Sequence, residues 1–232
     1  MKLHTAFAFA LFATLFLVSA CGQSQSPAST KVTTKAMQEA MSPDDALADL
    51  KAGNERFVSK RSTNQDWLAQ AATTAADGQF PKAIVLSCLD SRVPAEIIFD
   101  QAIGDIFVGR IAGNFEDVGL LGSMEFGTKL AGSKLIVVLG HTSCGAVKGA
   151  IARAELGNLT ETLANIKPAI ERAGEPGDDK AAYTQRVMIE NVKQTVEDIS
   201  ARSTVISDLI KEGKLKVVGA WYDLATGKVN WL

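Results

Sequence analysis

The sequence predicts an α/β fold: a central, mostly parallel β-sheet flanked by helices, with an N-terminal helical extension. Three observations lead there. Short, unbroken apolar runs at Ala83–Ser87 and Leu135–Gly140 read as strands buried on both faces, the pattern of a parallel sheet. Stretches of helical spacing separate the candidate strands, and strand–helix–strand alternation is how parallel strands are connected. Both runs also empty into polar turns, Cys88-Leu89-Asp90-Ser91-Arg92 and His141-Thr142-Ser143-Cys144. Ligand sites in open parallel sheets gather beyond the strand C-termini, where both turns fall.

The chain has 232 residues, of which 47% are hydrophobic, enough for one domain with a sizeable core. Its formal net charge of −2 gives no reason to expect nucleic acid as a partner, and it leaves an anionic small substrate open.

The N-terminus reads as an export signal. Lys2 precedes an apolar run from Ala6 to Val18, too short for a comfortable membrane span. The run ends Leu17-Val18-Ser19-Ala20-Cys21-Gly22, which resembles a bacterial lipoprotein cleavage site. Residues 1–20 are then the signal peptide and Cys21 the lipidated first residue. An ordinary signal peptide with an incidental Cys is the alternative. The expected location is a membrane-anchored lipoprotein facing the periplasm or cell surface. Gly22 in place of Asp favours the outer membrane in a Gram-negative cell. Residues 21–36 are polar and read as a flexible tether, leaving 37–232 as the folded domain.

The domain opens with Ser42-Pro43-Asp44-Asp45, an N-cap, a first-turn proline and acids facing the helix dipole. Ala46, Leu47, Leu50 and Phe57 carry that helix to about Lys60. Residues 61–78 continue helical or irregular, with Trp67 and Leu68 as anchors. Strand 83–87 follows, then a short helix near Ala95–Phe99 and a second strand over 105–112. Residues 116–130 have helical spacing, and their glycines permit close packing on a sheet. The third strand, 135–140, leads through His141 into a helix over about 145–154. Residues 158–212 read as mainly helical with a break near Gly174–Gly177. Asn191, Val192, Val196 and Ile199 mark one face of a long helix over about 179–199. Thr204 to Lys211 is a further helix, and strands over 214–222 and 228–231 close the chain.

The chemistry rests on a short inventory. The chain holds three Cys, at 21, 88 and 144, and two His, at 4 and 141. Setting the export segment aside, every remaining Cys and His lies in the two strand-end turns. Cys88 and Cys144 as thiolates and His141 as neutral imidazole make three of the four ligands of a tetrahedral zinc, with one position open. An open position is the mark of a catalytic site, because water bound there loses a proton near neutrality. Two thiolates weaken that effect, so help is needed. Asp90, two residues after Cys88, can orient the water. Arg92 can pair bidentately with Asp90 and hold it off the metal. If the pair breaks, Asp90 becomes the fourth ligand and closes the site, so activity is expected to rise with pH.

Cys-x-Asp-Ser-Arg followed by His-x-x-Cys resembles the β-class carbonic anhydrases. The resemblance runs from about Gly78 to Ile151. It includes Ile97-Ile98-Phe99-Asp100-Gln101, Arg110-Ile111-Ala112-Gly113-Asn114 and Ser123-Met124-Glu125-Phe126, with the later Glu190-Asn191-Val192 fitting too. It implies one zinc per subunit on Cys88, His141 and Cys144, and the reversible hydration of carbon dioxide to bicarbonate and a proton by zinc-bound hydroxide. Asp90 and Arg92 become the dyad, Gln79 helps place substrate, and Phe107 and Ile111 line an apolar pocket. A homodimer or homotetramer is also implied, with N-terminal helices embracing the neighbour. Val85 and Phe126 depart from residues found in some or many members, Trp and Tyr. Competing readings keep the metal but change the substrate to carbonyl sulfide or carbon disulfide, close the site with Asp90 as a permanent ligand, or join the two cysteines in a disulfide.

Overall fold

The computed structural model describes residues 28–232. The export segment, Cys21 and the tether up to residue 27 lie outside that range. Residues 28–36 do not hang free as a tether would. Ser29 forms a parallel bridge with Gln65, and Thr33 is buried, donating from its backbone N–H and its hydroxyl to Asp105 Oδ1 at 2.7 Å each. The anchoring is polar, so low apolar content concealed it. Thr34 then caps helix α1 (Lys35–Ala40).

Helix α2 (Pro43–Val58) starts where Ser42 predicts it, with Ser42 and Asp45 forming a reciprocal capping box. Its Ala46 and Leu50 are fully buried. A Cβ at Gly53 would lie 1.8 Å from the Phe99 carbonyl oxygen, so only glycine lets α2 lie this close to the end of α4 (Ala95–Ile98). Helix α3 (Trp67–Asp77) differs from the expectation for its anchors. Leu68 is 82% exposed and Trp67 is exposed as well, whereas Gln70 is fully buried. Gln70 donates from its side-chain amide to the Ser29 carbonyl and the Gln65 side chain, so hydrogen bonding and not apolar burial orients α3.

The sheet holds β1 (Ala83–Ser87), β2 (Ile106–Arg110), β3 (Leu135–His141), β4 (Lys216–Tyr222) and β5 (Val229–Trp231), in the order β2-β1-β3-β4-β5. The first four run parallel and β5 is antiparallel to β4. Alternation along the strands divides the core in two. Ile84, Leu86, Ile136 and Val138 face one way, and Val85, Val137 and Leu139 the other, with α2 and α4. The first face is covered by α5 (Val118–Glu125), which continues as a π-helical turn (Phe126–Leu130), and by α6 (Gly145–Ile151), α7 (Gly157–Ala164), α8 (Lys167–Ala173), α9 (Lys180–Arg202) and α10 (Thr204–Lys211). Among the described residues no helix is long and apolar enough to cross a membrane.

Candidate active site

Register brings the two turns together. Ser87 at the end of β1 lies level with Leu139 of β3, so Cys88 and His141 leave the sheet side by side. Cys88 continues the alternation of Ile84 and Leu86 and enters the helix-covered face. Beyond His141 the chain reverses through Ser143, whose φ is +56°, and Cys144 becomes the N-cap of α6.

Cys88, His141 and Cys144 are all buried, and their ligating atoms lie within 4.8 Å of one another. The two sulfurs are 3.8 Å apart. Two sulfurs on one tetrahedral zinc, each at about 2.3 Å, stand about 3.8 Å apart, so the spacing fits that metal. The imidazole fits as well. His141 Nδ1 lies 2.9 Å from the Thr142 carbonyl oxygen, which fixes the proton there and leaves Nε2 with a free lone pair. Nε2 is buried with no hydrogen-bond partner. An orphaned buried lone pair beside two thiols is what a metal would satisfy.

The thiols titrate as a pair. The hydrogen bond from Cys144 draws Cys88 down to about 4, against the opposing effect of burial. The same contact, with burial, pushes Cys144 upward. Alone, the pair sheds one proton readily and holds the second. A divalent cation is what would let both sulfurs be thiolates.

Asp90 and Arg92 meet as expected. Arg92 donates from Nε to Asp90 Oδ1 at 2.9 Å and from Nη2 to Oδ2 at 2.7 Å, and its backbone N–H adds a bond of 3.0 Å to Oδ1. The hydrogen bonds from Arg92 hold the Asp90 carboxyl well below the usual carboxylate range. Asp90 Oδ2 is also 3.8 Å from His141 Nε2, so the carboxylate borders the cluster while being held by Arg92.

The three expected pocket residues are not brought together. Phe107 and Ile111 pack on the same core face as Cys88, along the edge strand β2 and its continuation, and the Phe107 ring stacks at a tilt on Phe126. Gln79 lies before β1, next to Gly104, at the opposite end of the sheet. Strand β1 alone spans about 16 Å at about 3.3 Å per residue, so Gln79 does not reach the Cys88–His141–Cys144 cluster of its own subunit.

Residue spacing assigned no role to several groups that hold the site. The Gly113 N–H donates to Cys88 Sγ at 3.5 Å, and Asn191 Nδ2 donates to the Gly113 carbonyl at 2.7 Å. Arg110 donates from Nε to the Cys88 carbonyl and from Nη2 to the Asp90 carbonyl. The available signal was an arginine closing the strand beside the first cysteine, followed by a Gly-Asn turn.

Over residues 83–229 the chain matches the family described as carbonic anhydrase. The chain belongs to that family. Carbonic anhydrase 2 of Mycobacterium tuberculosis is 40% identical to it over 192 residues, covering 80% of this chain and 91% of the relative. A β-carbonic anhydrase structure from Aspergillus fumigatus aligns with a TM-score of 0.67 at 27% identity, covering 81% of this chain and 91% of that one. One of two tetrameric β-carbonic anhydrases from Sordaria macrospora aligns with a TM-score of 0.64 at 26% identity, covering 86% and 98%. This carbonic anhydrase is of the β class. It catalyses the reversible hydration of carbon dioxide with zinc as cofactor.

Proposed function

We propose that this β-class enzyme hydrates carbon dioxide at the C-terminal edge of β1 and β3, with Cys88, His141 and Cys144 holding zinc. The observation that carries this reading is the orphaned Nε2 of His141, buried beside two thiols and 3.8 Å from Asp90 Oδ2. Zinc, when bound, supplies the Lewis acidity that makes water a nucleophile near neutral pH. The chain's own residues do the rest. Two guanidinium donors and a backbone N–H keep Asp90 ionised, so it accepts hydrogen bonds and orients the attacking water. Phe107 and Ile111 offer an apolar strip on the Cys88 face, suited to a linear, nonpolar substrate. Gln79 joins the site from a second copy, since its own subunit holds it at the far end of β1. A homodimer or homotetramer therefore completes the pocket.

Stopped-flow hydration assays on the zinc-loaded chain test the reading. Activity is expected to rise with pH, to vanish in Cys88→Ser, and to fall steeply in Asp90→Asn with zinc retained. A fully active Asp90→Asn enzyme sinks the dyad. Ultracentrifugation tests the assembly, and a Gln79→Ala variant that assembles normally but loses turnover places Gln79 in the neighbour's site.

The Leu17–Gly22 pattern supports export and lipidation at Cys21, with the enzyme tethered to a membrane and facing the periplasm or cell surface. Mass spectrometry of the protein from membrane fractions tests it. An unmodified Cys21, or a mature chain starting elsewhere, overturns it.

A further inference from the structure

Arg110 ends β2 and is exposed, and it makes no ion pair among the described residues. Its guanidinium is nonetheless committed. Nε donates to the Cys88 carbonyl at 3.1 Å and Nη2 to the Asp90 carbonyl at 2.5 Å. One rigid fork thus grips the backbone on both sides of Leu89, the loop that carries a metal ligand and the dyad carboxylate. The strand pairing runs on alongside it. Ile111 N–H donates to the Ser87 carbonyl at 3.1 Å, and Leu89 N–H to the Ile111 carbonyl at 3.2 Å. Leu89 itself is 65% exposed, so apolar burial does not anchor the loop.

We propose that Arg110 is a positioning residue that fixes the Cys88–Asp90 backbone so that the Asp90 carboxylate stays on Arg92 and off the fourth metal position. The competing position lies close by. Asp90 Oδ2 takes a bond of 2.7 Å from Arg92 and stands only 3.8 Å from His141 Nε2. Moving the carboxylate from one to the other takes a shift of the Asp90 residue, which the fork on its carbonyl opposes together with the Val93 N–H on the same oxygen. Lysine keeps the charge but not a planar two-point fork, so it is no substitute. The inference rests on the reading of Asp90 as a group that can reach the metal.

The test reads anion uptake, not turnover. In the cobalt-loaded enzyme, thiocyanate entering the fourth position is followed by visible absorption at fixed, mildly alkaline pH. A site occupied by Asp90 excludes it. Arg110→Ala is expected to weaken thiocyanate binding about tenfold, equivalent to about 1.4 kcal/mol of bias toward the closed site. Arg110→Lys is expected to lose part of the binding despite keeping the charge. In the Asp90→Asn background both substitutions are expected to have no effect, because the competing ligand is gone. Equal weakening with and without Asp90 means a charge or folding effect and overturns the proposal. Unchanged binding in Arg110→Ala overturns it as well. If lowering the pH weakens thiocyanate binding to the otherwise unaltered enzyme no more than to Asp90→Asn, the switch reading itself fails, and the proposal with it.

Discussion

Asn191, in the middle of α9, donates its side-chain amide to the Gly113 carbonyl at 2.7 Å across 78 residues of sequence. Both ends are buried, and the Gly113 N–H faces Cys88 Sγ. The long helix therefore holds the turn that supplies a hydrogen bond to a sulfur of the Cys88–His141–Cys144 cluster. Replacing Asn191 by Leu leaves the Gly113 carbonyl buried without its partner. The expected loss is about 1–3 kcal/mol of folding stability. Zinc affinity should fall with it, because outer hydrogen bonds tune a ligand. Denaturant unfolding and competition with a metal chelator read the two effects. Unchanged stability would remove Asn191 from the site's support.

The cysteine pair gives the metal-free protein a specific pH dependence. Cys88 is drawn from 9.0 to about 4 in the folded chain, so its contribution to stability is lost as pH falls through about 4 and is complete above 9.0. Cys144 is shifted the opposite way, from 9.0 upward, so above 9.0 the unfolded chain loses its proton first and stability declines. Relative to a Cys88→Ser/Cys144→Ser double variant, the metal-free enzyme should gain stability from about pH 4 toward about pH 9 and lose it beyond. Urea midpoints across that range, with chelator present, check the shape. A flat difference would mean the sulfurs do not share a proton.

How much of this could be read from the residues alone follows from what each contact is made of. Strands β1 and β3 were legible because unbroken apolar runs have few other uses. The clustering of Cys88, His141 and Cys144 was legible because no other Cys or His remained once the export segment was set aside. Asp90 and Arg92 pair within one turn, so spacing alone placed them together. The contacts that escaped are side chain to backbone and span long sequence separations, as with Asn191 and Gly113 or Thr33 and Asp105. A backbone carbonyl has no letter in the sequence, so nothing marks which one a distant side chain will hold. For the same reason α3 was expected to anchor through Trp67 and Leu68, while Gln70 anchors it through the Ser29 carbonyl.

The start of α2 offers a stability test remote from the chemistry. Ser42 Oγ accepts from the Asp45 N–H, and the Asp45 carboxylate accepts from the Ser42 N–H and hydroxyl. Those hydrogen bonds hold the Asp45 carboxyl below its usual value. Ser42→Ala breaks the reciprocal pair and is expected to cost about 1 kcal/mol. Turnover per folded molecule should be unchanged. Thermal unfolding alongside the hydration assay separates the two, and an equal loss of turnover would tie α2 to the site.

Two glycines of the motif region should respond in opposite directions to alanine. Gly113 has φ +95°, and a Cβ there would come within 2.8 Å of Ile166 Cδ1. Gly113→Ala must relieve both the left-handed backbone and the clash, and the turn that aims an N–H at Cys88 Sγ shifts as it does so. The expected cost is about 1–3 kcal/mol of stability, with weaker zinc retention. Gly145 follows Cys144 at the first position of α6, where an added Cβ meets nothing within 4 Å. Its φ is not in the left-handed region. Gly145→Ala should therefore hold zinc as before and gain up to about 1 kcal/mol from the better helix former. Unfolding curves and chelator competition on the two variants decide it. Zinc loss in both would mean that the turn after Cys144 needs glycine for a reason other than space or backbone angle.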